Sequence, residues 1–264
     1  MMRVTPIRFP ATRRGNLMFK LLSSGILAGL IAGCLVFVLH LTLLQPLITQ
    51  AEIFEEMSNS KSSENMAQDG KQNSSKPDTQ HVHDGSEWSP HDGTERSLYT
   101  LMAHIITAIA YSLLLIAGFA IYGRNVSLLK GLLWGGAGFL SFSFLPGLGL
   151  PAELPGATRA DLMDRQLWWL TTAFLSIVGF SLIAFGKANL LRFSGVIALA
   201  LPHIFGAPGA DSAMSGSSSP ELAAKFVMLS LFVSAIMWIA ISSMSVFIYM
   251  RPNGYRGFFS FSGR

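Results

Sequence analysis

The stretch 20–44, KLLSSGILAGLIAGCLVFVLHLTLL, carries no charged side chain after its first residue. A bilayer hydrocarbon core is about 30 Å thick, and a helix crosses it with roughly 20 predominantly apolar residues. Every backbone polar group in such a segment must be satisfied internally, which restricts it to a helix or a closed barrel. Five further stretches have the same character, at 98–122, 128–149, 166–186, 190–206 and 224–250. Half of the 264 residues are hydrophobic and only 13% are charged, against about 25% charged in ordinary soluble domains. The sequence therefore predicts an all-α, polytopic integral membrane helix bundle of six spans, with five as the alternative. The segment 190–206 is the weakest, being short, with Arg192 near its start and Pro202 inside it. What lies between the spans is a basic tail at 1–19, one long polar loop at 45–97, a Pro/Gly loop at 150–165 and a tail at 251–264. None is large enough for a second globular domain.

Basic residues give the direction. Arg3, Arg8, Arg13, Arg14 and Lys20 precede the first span, so the positive-inside rule places the N-terminus in the cytoplasm. With six spans Arg124, Lys130, Lys187, Arg192, Arg251, Arg256 and Arg264 join them on the inner side, whereas five spans would put the Arg-containing tail outside. All 15 Asp and Glu fall on the outer side of the six-span arrangement. Acids contribute little to orientation. Their segregation is either the ordinary charge of a solvated loop or a negative outer face that concentrates cations.

Two features of the first span read as structural. The tetrapeptide IAGC at 31–34 resembles a lipoprotein cleavage signal, but the apolar run continues to Leu44 instead of ending at Cys34, which argues against processing there. Gly25, Gly29 and Gly33 lie four residues apart on one helix face, a pattern suited to close helix packing in lipid. Cys34 is the single cysteine, so an intramolecular disulfide framework and a Cys-based zinc site are both excluded. The pattern GxxxxGK[ST] is absent, leaving this chain without a P-loop of its own.

The long loop changes composition along its length. TQAEIFEEM continues the first helix beyond the membrane, while 58–77 is rich in Ser, Asn, Lys and Gln with little apolar content, a composition that predicts disorder. The stretch HVHDGSEWSPHDGTERS at 81–97 follows directly before the second span, with a near-repeat of HDGSEWS as HDGTERS. Imidazole and carboxylate together suit divalent first-row metals, so His81, His83, Asp84, His91 and Asp92 form a candidate capture site. Its irregular, Gly-containing backbone fits capture and release better than a permanent structural ion, and solvated loop histidines are the alternative.

Three more histidines, His40, His104 and His203, lie within predicted spans, each toward the outer end of its helix. Ionisable residues at membrane depth are rare and usually face a cavity or pathway. The competing reading is that each hydrogen-bonds a neighbouring helix. The segment PGLGLPAELPGATRADLMDRQLWW at 146–169 adds Pro146, Pro151 and Pro155 with three glycines. Such irregular backbone at membrane depth is tolerated only inside protein or beside water, so this stretch and LPHIFGAP at 201–208 are expected to form the mouth or re-entrant elements. Glu153, Asp161 and Asp164 supply carboxylates there, and Arg159 and Arg165 could pair with them. Trp168 and Trp169 fit an interfacial belt.

The order EWSPHDGTERSLYTL, GLLWGGAGFLSF, GLPAELPG, ADLMDRQLWW and LPHIFGAP resembles the CbtA family of predicted cobalt transporter subunits of bacterial inner membranes. The opening MFKLLSSGILAGLIAG and the turn LLQPLITQAE fit it as well, so the likeness covers about 18–249. Residues 1–17 lie outside it and read as an extension or the product of an upstream start codon. The resemblance implies a link to vitamin B12 biosynthesis and a small single-span CbtB-like partner with a histidine-rich end. It also implies five spans, one fewer than the hydropathy count. The expected partners are thus the lipid bilayer and that subunit, with no nucleic acid. No cofactor is expected to be bound permanently, and the transported divalent cation is expected to be Co²⁺. The function expected is a membrane subunit of a divalent-metal uptake transporter and not an enzyme. The alternatives are a membrane metal-binding sensor or scaffold, and a membrane-embedded hydrolase. No HExxH and no Ser-His-Asp arrangement supports the last.

Overall fold

The computed structural model describes residues 11–69, 90–91, 93–122, 127–209 and 218–250. Every regular element among them is helical: α1 (Ala11–Leu39), α2 (Gln45–Asp69), α3 (Thr94–Tyr122), α4 (Leu128–Phe139), α5 (Leu145–Gly149), α6 (Leu162–Phe185), α7 (Asn189–Phe205) and α8 (Pro220–Met250). Short π-helical segments, His40–Leu44 and Leu140–Phe144, join α1 to α2 and α4 to α5 without a break. Five stretches are long and apolar enough to cross a bilayer: Leu21–Ser58, Thr94–Tyr122, Leu128–Gly149, Leu162–Phe185 and Pro220–Ile248. This is the architecture of a polytopic membrane bundle.

The π segments have a common cause. Each ends two residues before a proline, Pro46 in one case and Pro146 in the other. Proline cannot donate to the carbonyl four residues earlier, and its ring clashes with that carbonyl. Widening the preceding turn to the π spacing relieves the clash and lets the helix go on. Pro146 therefore does not break the helix, as the sequence suggests it should. It sits in the first turn of α5, and the chain turns irregular only from Leu150. The helix that begins at Gln45 likewise runs to Asp69, past Ser58, where composition predicts irregular chain. Residues 58–69 contain neither Gly nor Pro, and the first breaker is Gly70.

Two compact units divide the chain. The first comprises Met1–Phe37, Met102–Leu140 and Ser234–Arg264, and no Asp or Glu occurs in those ranges. Within it α1 runs antiparallel to α3, with Gly25 against Leu113, Gly29 against Ile109 and Gly33 against Ile105. A Cβ at Gly29 would stand 2.4 Å from the Cα of Ile109, so glycine here permits backbone-on-backbone contact, as the four-residue spacing predicts. Helix α4 approaches α8 in the same way, at Gly131, Gly135 and Gly138. Leu115, Ile116, Phe119 and Val246 form a buried cluster flanked by Leu21 and Trp134. The hydroxyls of Ser112 and Ser245, both fully buried, bond each other at 3.1 Å and tie α3 to α8.

The second unit comprises Val38–Leu101 and Ser141–Val233. Its centre is a helical hairpin. Helix α6 is capped by Asp161, whose Oδ1 accepts from the Met163 amide at 2.8 Å, and it ends at Gly186. Helix α7 returns along it: Gly195 meets Gly179, and His203 reaches Trp168. With 17 residues α7 is about 25 Å long, short for a span, and it carries the chain back to Trp168 in the second turn of α6. Gly206, at φ 81°, ends it in a conformation that favours glycine.

Many large apolar side chains on these helices point outward, among them Phe174 at 65% exposure, Leu190 at 76% and Ile204 at 74%. In water such faces would be association surfaces. In a membrane bundle they are the surface presented to lipid.

Candidate functional site

Of the loop residues, His81, His83, Asp84 and Asp92 lie outside the described residues. His91 is described, and its side chain is exposed. Its backbone prepares the start of α3: the His91 amide donates to Glu95 Oε2 at 3.3 Å, and its carbonyl accepts from the Arg96 amide at 3.2 Å. The first turn of α3 is fastened to α2 by the ion pair of Arg96 with Glu52.

His40 opens the first π segment and is half-buried. Its side chain hydrogen-bonds Gln45, and Gln45 Nε2 reaches Thr49 Oγ1 at 3.5 Å. Arg96 is close enough to act on His40 electrostatically, and the carboxylate of Glu52 opposes that charge. A cation beside His40 would otherwise meet a fixed guanidinium. His40 and His203 belong to the second unit, whereas His104 on α3 belongs to the first. Among the described residues, no group of three or more His, Cys, Asp or Glu side chains comes together as a metal-holding set.

His203 has the clearest surroundings. It lies in the last turn of α7, directly after the buried Pro202. Its ring meets the edge of Trp168 with centroids 5.9 Å apart at 74°. Helix α5 closes on the same indole, since a Cβ at Gly149 would stand 2.3 Å from the Trp168 ring and 2.9 Å from Ala207. His203 Nε2 and Trp168 Nε1 are both buried, and neither has a hydrogen-bond partner among the described residues. An unsatisfied buried polar atom costs about 1–3 kcal/mol and in a native protein usually marks water, an ion or a functional site. The sequence points to His203, but it assigns Trp168 to the interfacial belt. What joins them is the antiparallel return of α7 on α6, which nothing in the local sequence announces.

The Pro/Gly stretch forms the irregular loop 150–161 between α5 and α6. Glu153 is held there by two cations: Arg159 Nε lies 3.0 Å and Arg165 Nη1 3.4 Å from the same oxygen, Oε2. These three side chains, with Leu150, Pro151, Gln166, Trp169 and Leu170, line a cavity of about 610 Å³. Asp161 is committed as the cap of α6, and Asp164 is exposed in the first turn of that helix. The three acids of the predicted mouth are thus an ion-paired residue, a helix cap and a solvated side chain.

Residues 18–249 match the family described as "Probable cobalt transporter subunit (CbtA)". No curated protein and no solved structure matches the chain.

Proposed function

The chain belongs to the CbtA family of probable cobalt transporter subunits, and from that premise we propose a route by which it takes up its ion. It is a membrane subunit of a metal transporter. The cargo proposed is a divalent transition metal, Co²⁺ foremost, moving inward across a bacterial inner membrane with the N-terminus in the cytoplasm. His81, His83, Asp84, His91 and Asp92 would collect the ion at the outer surface, and His40, His104 and His203 would receive it at membrane depth. Glu153, already shared by two guanidiniums, would join only after exchanging those partners.

Supporting this reading is the buried Nε2 of His203, which has no hydrogen-bond partner among the described residues. A neutral imidazole nitrogen is a ligand for first-row metals. The adjacent Trp168 N–H is a donor only, suited to a water that accompanies the ion. An inside-negative potential contributes about 2.3 kcal/mol per charge per 100 mV, so a divalent ion gains roughly twice that on entry. Subunit status implies a partner, and a small single-span CbtB-like protein fills that place in this reading. The link to vitamin B12 biosynthesis comes with the family resemblance. A permanently bound cofactor and an enzymatic reaction have no part in the scheme.

The capture step is tested by replacing His81, His83 and His91 together by Ala. Uptake should fall most at limiting metal and recover when metal is abundant. Equal uptake by variant and parent at limiting metal would reduce the cluster to an ordinary solvated loop.

A further inference from the structure

The cavity beside Glu153 has a chemistry that cation handling does not use. Arg159 and Arg165 each spend one donor group on a single oxygen of Glu153, at 3.0 and 3.4 Å. A guanidinium carries five N–H donors in a planar fork, so most of the donors of both side chains remain for another acceptor. Two guanidiniums and one carboxylate leave a net positive charge, and among the described residues no other charged side chain lines the cavity. Arg165 is only 24% exposed, so its charge is poorly screened by water. The remaining walls are Leu150, Pro151, Trp169 and Leu170, with Gln166 as the one neutral polar side chain.

This combination fits a ligand with an anionic head and an apolar body. Guanidinium pairs recognise phosphate through parallel N–H···O bonds. Trp169, packed against Phe142 with centroids 6.1 Å apart, is of the type that settles at the headgroup level. Below it the same helix presents Leu170, Phe174 and Ile177, all exposed and at the i, i+4, i+7 spacing of one helix face, a track for acyl chains. We propose that this cavity binds the phosphate of a membrane phospholipid, gripped by Arg159 and Arg165, with its chains lying along the apolar face of α6. A soluble anion would gain the arginines but nothing from the apolar walls.

The test uses purified full-length protein in neutral detergent, with retained lipid read by native mass spectrometry. The probes are phosphatidylglycerol and a diacylglycerol with the same chains, and inorganic phosphate serves as competitor. Phosphatidylglycerol should be retained about tenfold better than diacylglycerol, the scale of one or two charge-assisted hydrogen bonds. The double substitution Arg159→Gln with Arg165→Gln should abolish that preference. Glu153→Gln should preserve or raise it, because both guanidiniums then turn to the phosphate. Equal retention of diacylglycerol, or displacement of the lipid by inorganic phosphate at matched concentration, would overturn the proposal. So would loss of retention in Glu153→Gln, which would make the three side chains a structural clasp. If the double variant does not accumulate, the direction of the Glu153→Gln effect decides alone.

Discussion

At the scale of single residues, the weight falls on His203. Gln at this position keeps polarity and approximate size but loses the imidazole nitrogen. His203→Gln should reach the membrane at the parental level and lower the maximal rate of metal uptake several-fold, even at abundant metal. The loop variant should instead fail only at limiting metal. Protons compete with metal for neutral imidazole. Parental uptake should therefore decline as external pH is lowered. A His203→Gln protein that transports at the parental rate would leave the residue as a packing element of α7. His40, His104 and His203 are visible in the sequence because an ionisable residue amid apolar ones is conspicuous. The pairing of His203 with Trp168 is not visible, because it depends on a tertiary return. The fate of Glu153 is half visible: Arg159 and Arg165 are adjacent possibilities in sequence, and only the folded loop shows both on one oxygen.

At the scale of elements, glycine separates packing from propensity. A Cβ at Gly29 would strike the backbone of Ile109, whereas a Cβ at Gly136 would meet nothing within 4 Å. Gly29→Ile should push α1 from α3 and destabilise the protein by about 1–3 kcal/mol, the usual cost of overpacking. Gly136→Ala should be neutral or stabilising by about 0.5–1 kcal/mol through helix propensity. Thermal unfolding in detergent reads both, and equal melting temperatures for Gly29→Ile and parent would contradict the tight α1–α3 contact. The Gly25, Gly29 and Gly33 row is legible because its period matches the helix. The π segments before Pro46 and Pro146 are not, since proline in a helical pattern ordinarily reads as a stop, and only a spanning helix held on both sides shows it absorbed.

At the scale of the molecule, apolar runs and the all-helical class follow from sequence, because lipid leaves a chain few options. The length of 190–206 alone leaves five and six passes open. Among the described residues five helices reach span length and α7 is shorter; its return along α6 is compatible with six passes, the count that puts the Arg-containing C-terminal tail on the inner side. A reporter fused after Arg264 should therefore report cytoplasm, and a periplasmic signal from a functional fusion would contradict the sixth pass. Whether this chain moves a divalent metal is decided by radiolabelled Co²⁺ uptake into right-side-out membrane vesicles under an imposed inside-negative potential. Vesicles from the native cells would be compared with vesicles from cells lacking the chain and from cells in which it is restored. Uptake should be lost with the chain, return with it, and collapse when the potential is dissipated. Uptake that is the same with and without the chain would contradict its role in moving the metal.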